Sequence, residues 1–63
     1  MSDTHVYRLR LLSERDRLYK SGDPALTALA RRGLVDRTGR LDRFGREEWS
    51  ITFAGREAAA AKA

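Results

Sequence analysis

Asp23-Pro24-Ala25-Leu26-Thr27-Ala28-Leu29-Ala30-Arg31-Arg32-Gly33-Leu34-Val35 is the stretch from which the rest of the chain is read. An aspartate followed by a proline marks a helix start. The carboxylate accepts orphan N–H groups of the first turn, and proline suits a position whose N–H has no intrahelical partner. Leu26, Leu29 and Ala30 then recur at i, i+3 and i+4 and line one face. Arg31 and Arg32 suit the negative end of the helix dipole, and Gly33 suits the left-handed cap beyond it. Leu34 stands where such a cap makes its apolar contact. The spacing predicts a helix over 24–32, with Leu34-Val35 opening a short strand.

Downstream lies an arginine-rich stretch with Gly39 and Gly45 as turn formers. Trp49, Ile51 and Phe53 alternate with Ser50 and Thr52, so Glu48 to Thr52 reads as a returning strand. Thr52 is placed to cap a last helix running from about Phe53 into the alanines of 58–63. Gly55 weakens that helix by about 1 kcal/mol relative to alanine. Upstream, Thr4 to Ser21 carries two patterns at once. On a helical wheel Tyr7, Leu11 and Leu18 fall together, with Leu12 and Tyr19 nearby, while Val6 and Leu9 fall off the stripe. Tyr7, Leu9 and Leu11 also alternate with Arg8 and Arg10, as in a strand. Ser13 with Asp16 resembles the start of a later helix. A helix is expected over most of Tyr7 to Lys20, ended by Gly22, with the part before Leu12 open to either reading.

Sixty-three residues make a single domain, 1–63, with a thin core, since a chain this short buries only roughly 60% of its unfolded surface. Cysteine is absent and His5 is the lone histidine, so disulfides, thiolate metal sites and paired imidazoles are excluded. No metal-ligand spacing, phosphate-binding glycine loop or nucleophile elbow occurs. The expectation is no enzyme, no catalytic residues, no metal and no cofactor. The longest apolar run is Ala58 to Ala61, too short to cross a membrane. Without a signal-peptide layout at the start, the expected compartment is the cytoplasm.

Charge is unevenly placed. Thirteen basic and nine acidic groups give a net +4. Residues 31–46 hold six arginines against two aspartates, so that stretch carries the whole excess and the remainder is neutral. A local basic segment is the footprint of a polyanion partner, most often nucleic acid. Its rival is a solvated arginine-rich loop. Glu47-Glu48 stands where it would pair with these arginines and weaken such binding.

In order, these elements resemble the recognition-helix-plus-wing half of a winged helix-turn-helix domain, as in MarR-type and PadR-type regulators and small phage proteins. The match lies in Leu29-Ala30-Arg31-Arg32-Gly33-Leu34-Val35 and Ile51-Thr52-Phe53-Ala54-Gly55, within roughly Leu18 to Ala59. The resemblance implies an α+β, winged-helix-like domain of two helices joined by the turn Ser21-Gly22-Asp23, a β-hairpin wing and a C-terminal helix. That is one helix fewer than the three that usually precede the wing, so either the first helix is missing or the N-terminal segment replaces it with something else, such as a strand pairing with the wing. It also implies a small DNA-binding protein, a transcriptional regulator or phage accessory factor, using helix 24–32 and a wing over 36–48 on double-stranded DNA. Thr27, Arg31, Arg32, Arg37, Arg40, Arg43 and Arg46 are the expected contacts. The alternative is a protein-interaction module on a degenerate winged-helix scaffold that binds and modulates a host or regulatory protein. Homodimerisation through the first or last helix is a further expectation. Trp49 is read as core rather than a base-stacking residue, Tyr7 and Tyr19 as packing residues with wet hydroxyls, and His5 as exposed. For Phe44, a wing-tip insertion or partner contact competes with simple exposure.

Overall fold

The computed structural model describes residues 2–61. Its elements are α1 (Asp3–Glu14), β1 (Arg17–Tyr19), α2 (Pro24–Arg31), β2 (Val35–Leu41), β3 (Glu47–Ile51) and α3 (Phe53–Ala61). The three strands form one antiparallel sheet in the order β1-β3-β2. The fold is α+β, three helices with a three-stranded sheet. Residues 62 and 63, the end of the alanine-rich tail, lie outside the described range.

The deciding stretch folds as its chemistry dictates. Asp23 Oδ1 accepts the Leu26 N–H at 3.1 Å, and Pro24 opens α2. Arg32 is the C-cap rather than the last helical residue. Gly33 takes φ +75°, its N–H reaches the Ala30 carbonyl at 2.9 Å, and the Leu34 N–H reaches the Leu29 carbonyl at 3.0 Å. This pair of bonds is a Schellman cap, and the buried Leu34 supplies its apolar contact.

The N-terminal third differs from the expected helix over Tyr7 to Lys20. Its first half, read as ambiguous, is helical, and its second half is not. Ser2 caps α1 by accepting the His5 N–H at 3.3 Å. The helix stops at Glu14: Ser13 is in its last turn rather than starting another helix, and its hydroxyl donates back to the Arg10 carbonyl at 2.6 Å. Arg15 is extended, and Arg17 reaches back so that its Nε donates to the Leu11 carbonyl at 3.1 Å. Arg17, Leu18 and Tyr19 then pair with Trp49, Glu48 and Glu47. Residues 15–23, strand included, separate α1 from α2, so the two helices are not joined by a three-residue turn, and Gly22 serves the turn after β1 rather than a helix end.

With α1 ending early, the buried stripe is Leu9 and Leu12, not Tyr7, Leu11 and Leu18. Tyr7 is exposed rather than packed, and His5 is half-buried rather than exposed. Leu9 and Leu12 meet Leu26, Leu29, Leu34, Val35, Trp49 and Ala59 in one core, with Trp49 1% exposed, as expected. Tyr19 packs against this core, but its hydroxyl is buried without a hydrogen-bond partner among the described residues instead of wet.

At Gly55 the packing overrides helix propensity. The residue looks like a weak point of α3, yet it is buried against the start of β2, where an added Cβ would collide with the Leu34 carbonyl oxygen and lie 2.6 Å from Ile51 Cγ1. Thr52 fixes that approach. Its N–H donates to the Leu34 carbonyl at 3.0 Å and its hydroxyl to the Gly33 carbonyl at 2.7 Å, while Oγ1 caps α3 by accepting the Gly55 N–H at 3.0 Å. The glycine is the close-approach residue that lets the two segments meet.

Candidate nucleic-acid interface

The expected contact residues occupy two elements. Thr27, Arg31 and Arg32 belong to α2 and its cap, and Arg37, Arg40, Arg43 and Arg46 to the β2–β3 hairpin. Thr27 is half-buried and its hydroxyl donates to the Asp23 carbonyl at 2.9 Å, so its one donor is engaged. Arg31 and Arg32 are exposed at the C-terminus of α2. Neither has an ion pair among the described residues, although the helix dipole is itself a structural reason for cations there.

The hairpin holds its arginines in two states. Near the core, Arg37 lies over the Trp49 ring, 4.7 Å from its centroid, and its Nε is 3.2 Å from Glu47 Oε1. Register explains this, because Arg37 pairs with Trp49 and the next residue before it on β3 is only two positions away on the same face. Between the pairs Arg37–Trp49 and Leu41–Glu47 the ladder is irregular, so Thr38, Gly39 and Arg40 stand opposite the single Glu48. Gly39 thus lies inside a bulge rather than at a turn. Glu48 takes the Thr38 hydroxyl at 2.8 Å and stands 3.9 Å from Arg40 Nη1. Residues 36–48 contain four arginines and four carboxylates. The hairpin is electrically balanced, and with Glu47 and Glu48 folded against it the excess of the stretch falls from +4 to +2, the charge of Arg31 and Arg32.

The tip is organised by one residue that sequence reasoning passed over. Asp42 Oδ1 accepts the N–H of Phe44 at 2.9 Å and of Arg46 at 2.8 Å, and Oδ2 pairs with the Arg46 guanidinium. The Asp42 carbonyl accepts the Gly45 N–H at 3.1 Å, and Asp42 N–H donates to the Arg46 carbonyl at 3.1 Å. Gly45 at φ +79° provides the left-handed step that such a three-residue hairpin loop requires. Partial desolvation pushes the Asp42 carboxyl up, but the donors from Arg46 and Phe44 and the Arg46 charge outweigh it, and the group titrates below its ordinary 3.8. The available signal was an aspartate three residues before a glycine, the pattern of an Asx-stabilised turn.

Arg43 and Phe44 occupy the central positions of this turn. Arg43 is exposed with no ion pair among the described residues, and Phe44 is 76% exposed. Neither side chain helps hold the turn. Every residue from Asp36 to Arg46 except Asp42 is exposed, so the distal hairpin stands clear of the core.

Among the described residues no group of three or more metal-ligating side chains is placed to hold an ion, and no helix is long and apolar enough to cross a membrane. Comparison with models of protein families, with curated proteins and with solved structures gives no match.

Proposed function

We propose that this protein binds duplex DNA, with the C-terminal end of α2 and the hairpin tip as its two contacts, in the manner of a small winged-helix regulator or phage accessory factor. The observation that carries the reading is that Arg31, Arg32 and Arg43 are exposed with no carboxylate partner among the described residues, at the C-terminal end of α2 and at the tip of the hairpin. A hairpin following a capped helix, with its return strand central in the sheet, supports the winged-helix resemblance. The separation of α1 from α2 by β1 departs from it. Arg37, Arg40 and Arg46 remain contact candidates, but each must exchange a carboxylate for a phosphate, so each adds less net affinity.

The test is fluorescence anisotropy on a labelled duplex across a salt series. Each neutralised phosphate contributes about 0.9 to the fall of log affinity with log salt, so three free arginines set a slope of about −2.7. Replacing Arg31, Arg32 and Arg43 with alanine flattens most of it. Replacing Arg37 and Arg40 flattens it by less than about one unit. Absence of binding at low salt, or the opposite ranking of the two variants, overturns the reading.

A second reading has its own observation. The balanced hairpin exposes Leu41 as well as Phe44, a combination suited to a protein partner, and a saturable protein complex indifferent to competitor DNA favours it.

A further inference from the structure

The tip of the β2–β3 hairpin presents an aromatic ring that the fold does not use. Phe44 touches no part of the core, and its backbone is already fixed by Asp42 and Gly45, so the ring is held outward without needing a partner to order it. Beside it stand one arginine unpaired among the described residues, Arg43, and one ion pair, Asp42–Arg46. The Arg46 guanidinium lies over one side of the ring, 5.9 Å from its centroid, and Arg43 precedes it unpaired. This bracket decides what kind of surface the ring fits. An apolar protein pocket would have to strip water from the Arg43 guanidinium and from the Asp42–Arg46 ion pair to reach it. A base step offers an apolar gap between two bases with phosphates on either flank, so the ring and Arg43 are satisfied together.

The geometry points to Phe44 as a wedge that enters a base step from the minor groove and unstacks it, while Arg43 engages a flanking phosphate and Arg46 stays with Asp42 to hold the tip. The minor groove is about 6 Å wide, too narrow for a two-stranded ribbon but open to the side chains of its tip. Wedge insertion kinks the duplex by about 20–90° and favours flexible pyrimidine–purine steps. This inference rests on the DNA reading above and adds to it a mode of contact and a preference for deformable sites.

The experiment separates the two. The full chain is titrated into a duplex carrying 2-aminopurine beside a central TA step, and into the same duplex labelled at both ends for energy transfer, with anisotropy read in parallel. The parent is expected to raise the 2-aminopurine emission and shorten the end-to-end distance. Phe44→Ala, whose melting should match the parent because the ring is exposed, is expected to keep the salt slope, lose both signals and bind about tenfold more weakly, the scale of one stacked base. Phe44→Leu, still an apolar wedge, is expected to keep part of the bend. A parent that binds with the expected slope but neither unstacks nor bends the duplex overturns the wedge and leaves the DNA reading standing. A Phe44→Ala variant that binds and bends as the parent does likewise overturns it. A parent that binds no duplex at low salt overturns both, and loss of a saturable protein complex in Phe44→Ala then assigns the ring to a protein partner.

Discussion

The base and the tip of the β2–β3 hairpin are ordered by different forces. At the base, Val35 and Trp49 are buried, Ile51 packs against the core, and Thr52 and Gly55 bring α3 onto the carbonyls of residues 33 and 34. At the tip no side chain is buried, and a single carboxylate gathers two backbone N–H groups and a guanidinium. Burial orders the base whatever the ionisation of its surroundings. The tip is ordered by a charge. Arginines near the base therefore become part of the structure, as Arg37 does between Glu47 and Trp49, whereas Arg43 at the tip has no structural duty.

The comparison breaks most severely at Trp49. Trp49→Ala should cost roughly 3–5 kcal/mol, much of the approximately 3–9 kcal/mol expected for a domain of this length. Circular dichroism should show largely unfolded chain, and an unchanged melting curve would show that burial does not hold the base. Gly55→Ala comes next. Helix propensity alone predicts a gain of about 1 kcal/mol, but the collision with Leu34 should turn it into a loss of about 1–3 kcal/mol. A stabilised variant would show that α3 docks less closely than described.

The smallest effect is at the tip. Asp42→Ala should scarcely move the melting temperature, yet the amide protons of Phe44 and Arg46 should lose protection from hydrogen exchange, because their acceptor is gone. Acid should act in the same way. A carboxyl held below its ordinary 3.8 contributes fully above that value, and the contribution fades as pH falls through the lower folded value. NMR during acidification should show the tip loosening while Trp49 emission holds. Simultaneous loss of both would mean that base and tip are one cooperative unit.

How much of this was readable in advance depends on the range of the interactions. The helix over Pro24–Arg31, its aspartate and its glycine cap were clear because each bond joins residues a few positions apart. The last helix and its Thr52 cap followed for the same reason, as did the return strand with Trp49 inside. A strand pairing with the wing follows from the missing helix as an alternative, but its place at Arg17–Tyr19 is hidden, because its partners lie on β3, some thirty residues away, and three residues carry too little alternation to reveal it. A helix read through it misplaces the stripe and leaves out Leu9, which is wholly buried. Gly55 was misjudged because propensity sees the helix and not the carbonyl beside it. In the candidate site the arginines were evident as a residue type. Their division into paired and free rests on the cross-strand partners Glu47 and Glu48, which local patterns do not display, and on the local Asp42–Arg46 turn, for which the aspartate before a glycine is a signal.

The position of β3 between β1 and β2 also has a consequence for synthesis. The shared central strand follows both of its neighbours in the chain. A ribosome therefore delivers two strands that have nothing to pair with, and no rung of the sheet closes until residues 47–51 have emerged. Trp49, the largest fully buried side chain, arrives in that same segment. Until then the leucines of α1 and α2 have only each other to pack against, and transiently exposed apolar surface of that kind makes a partly built domain prone to aggregate.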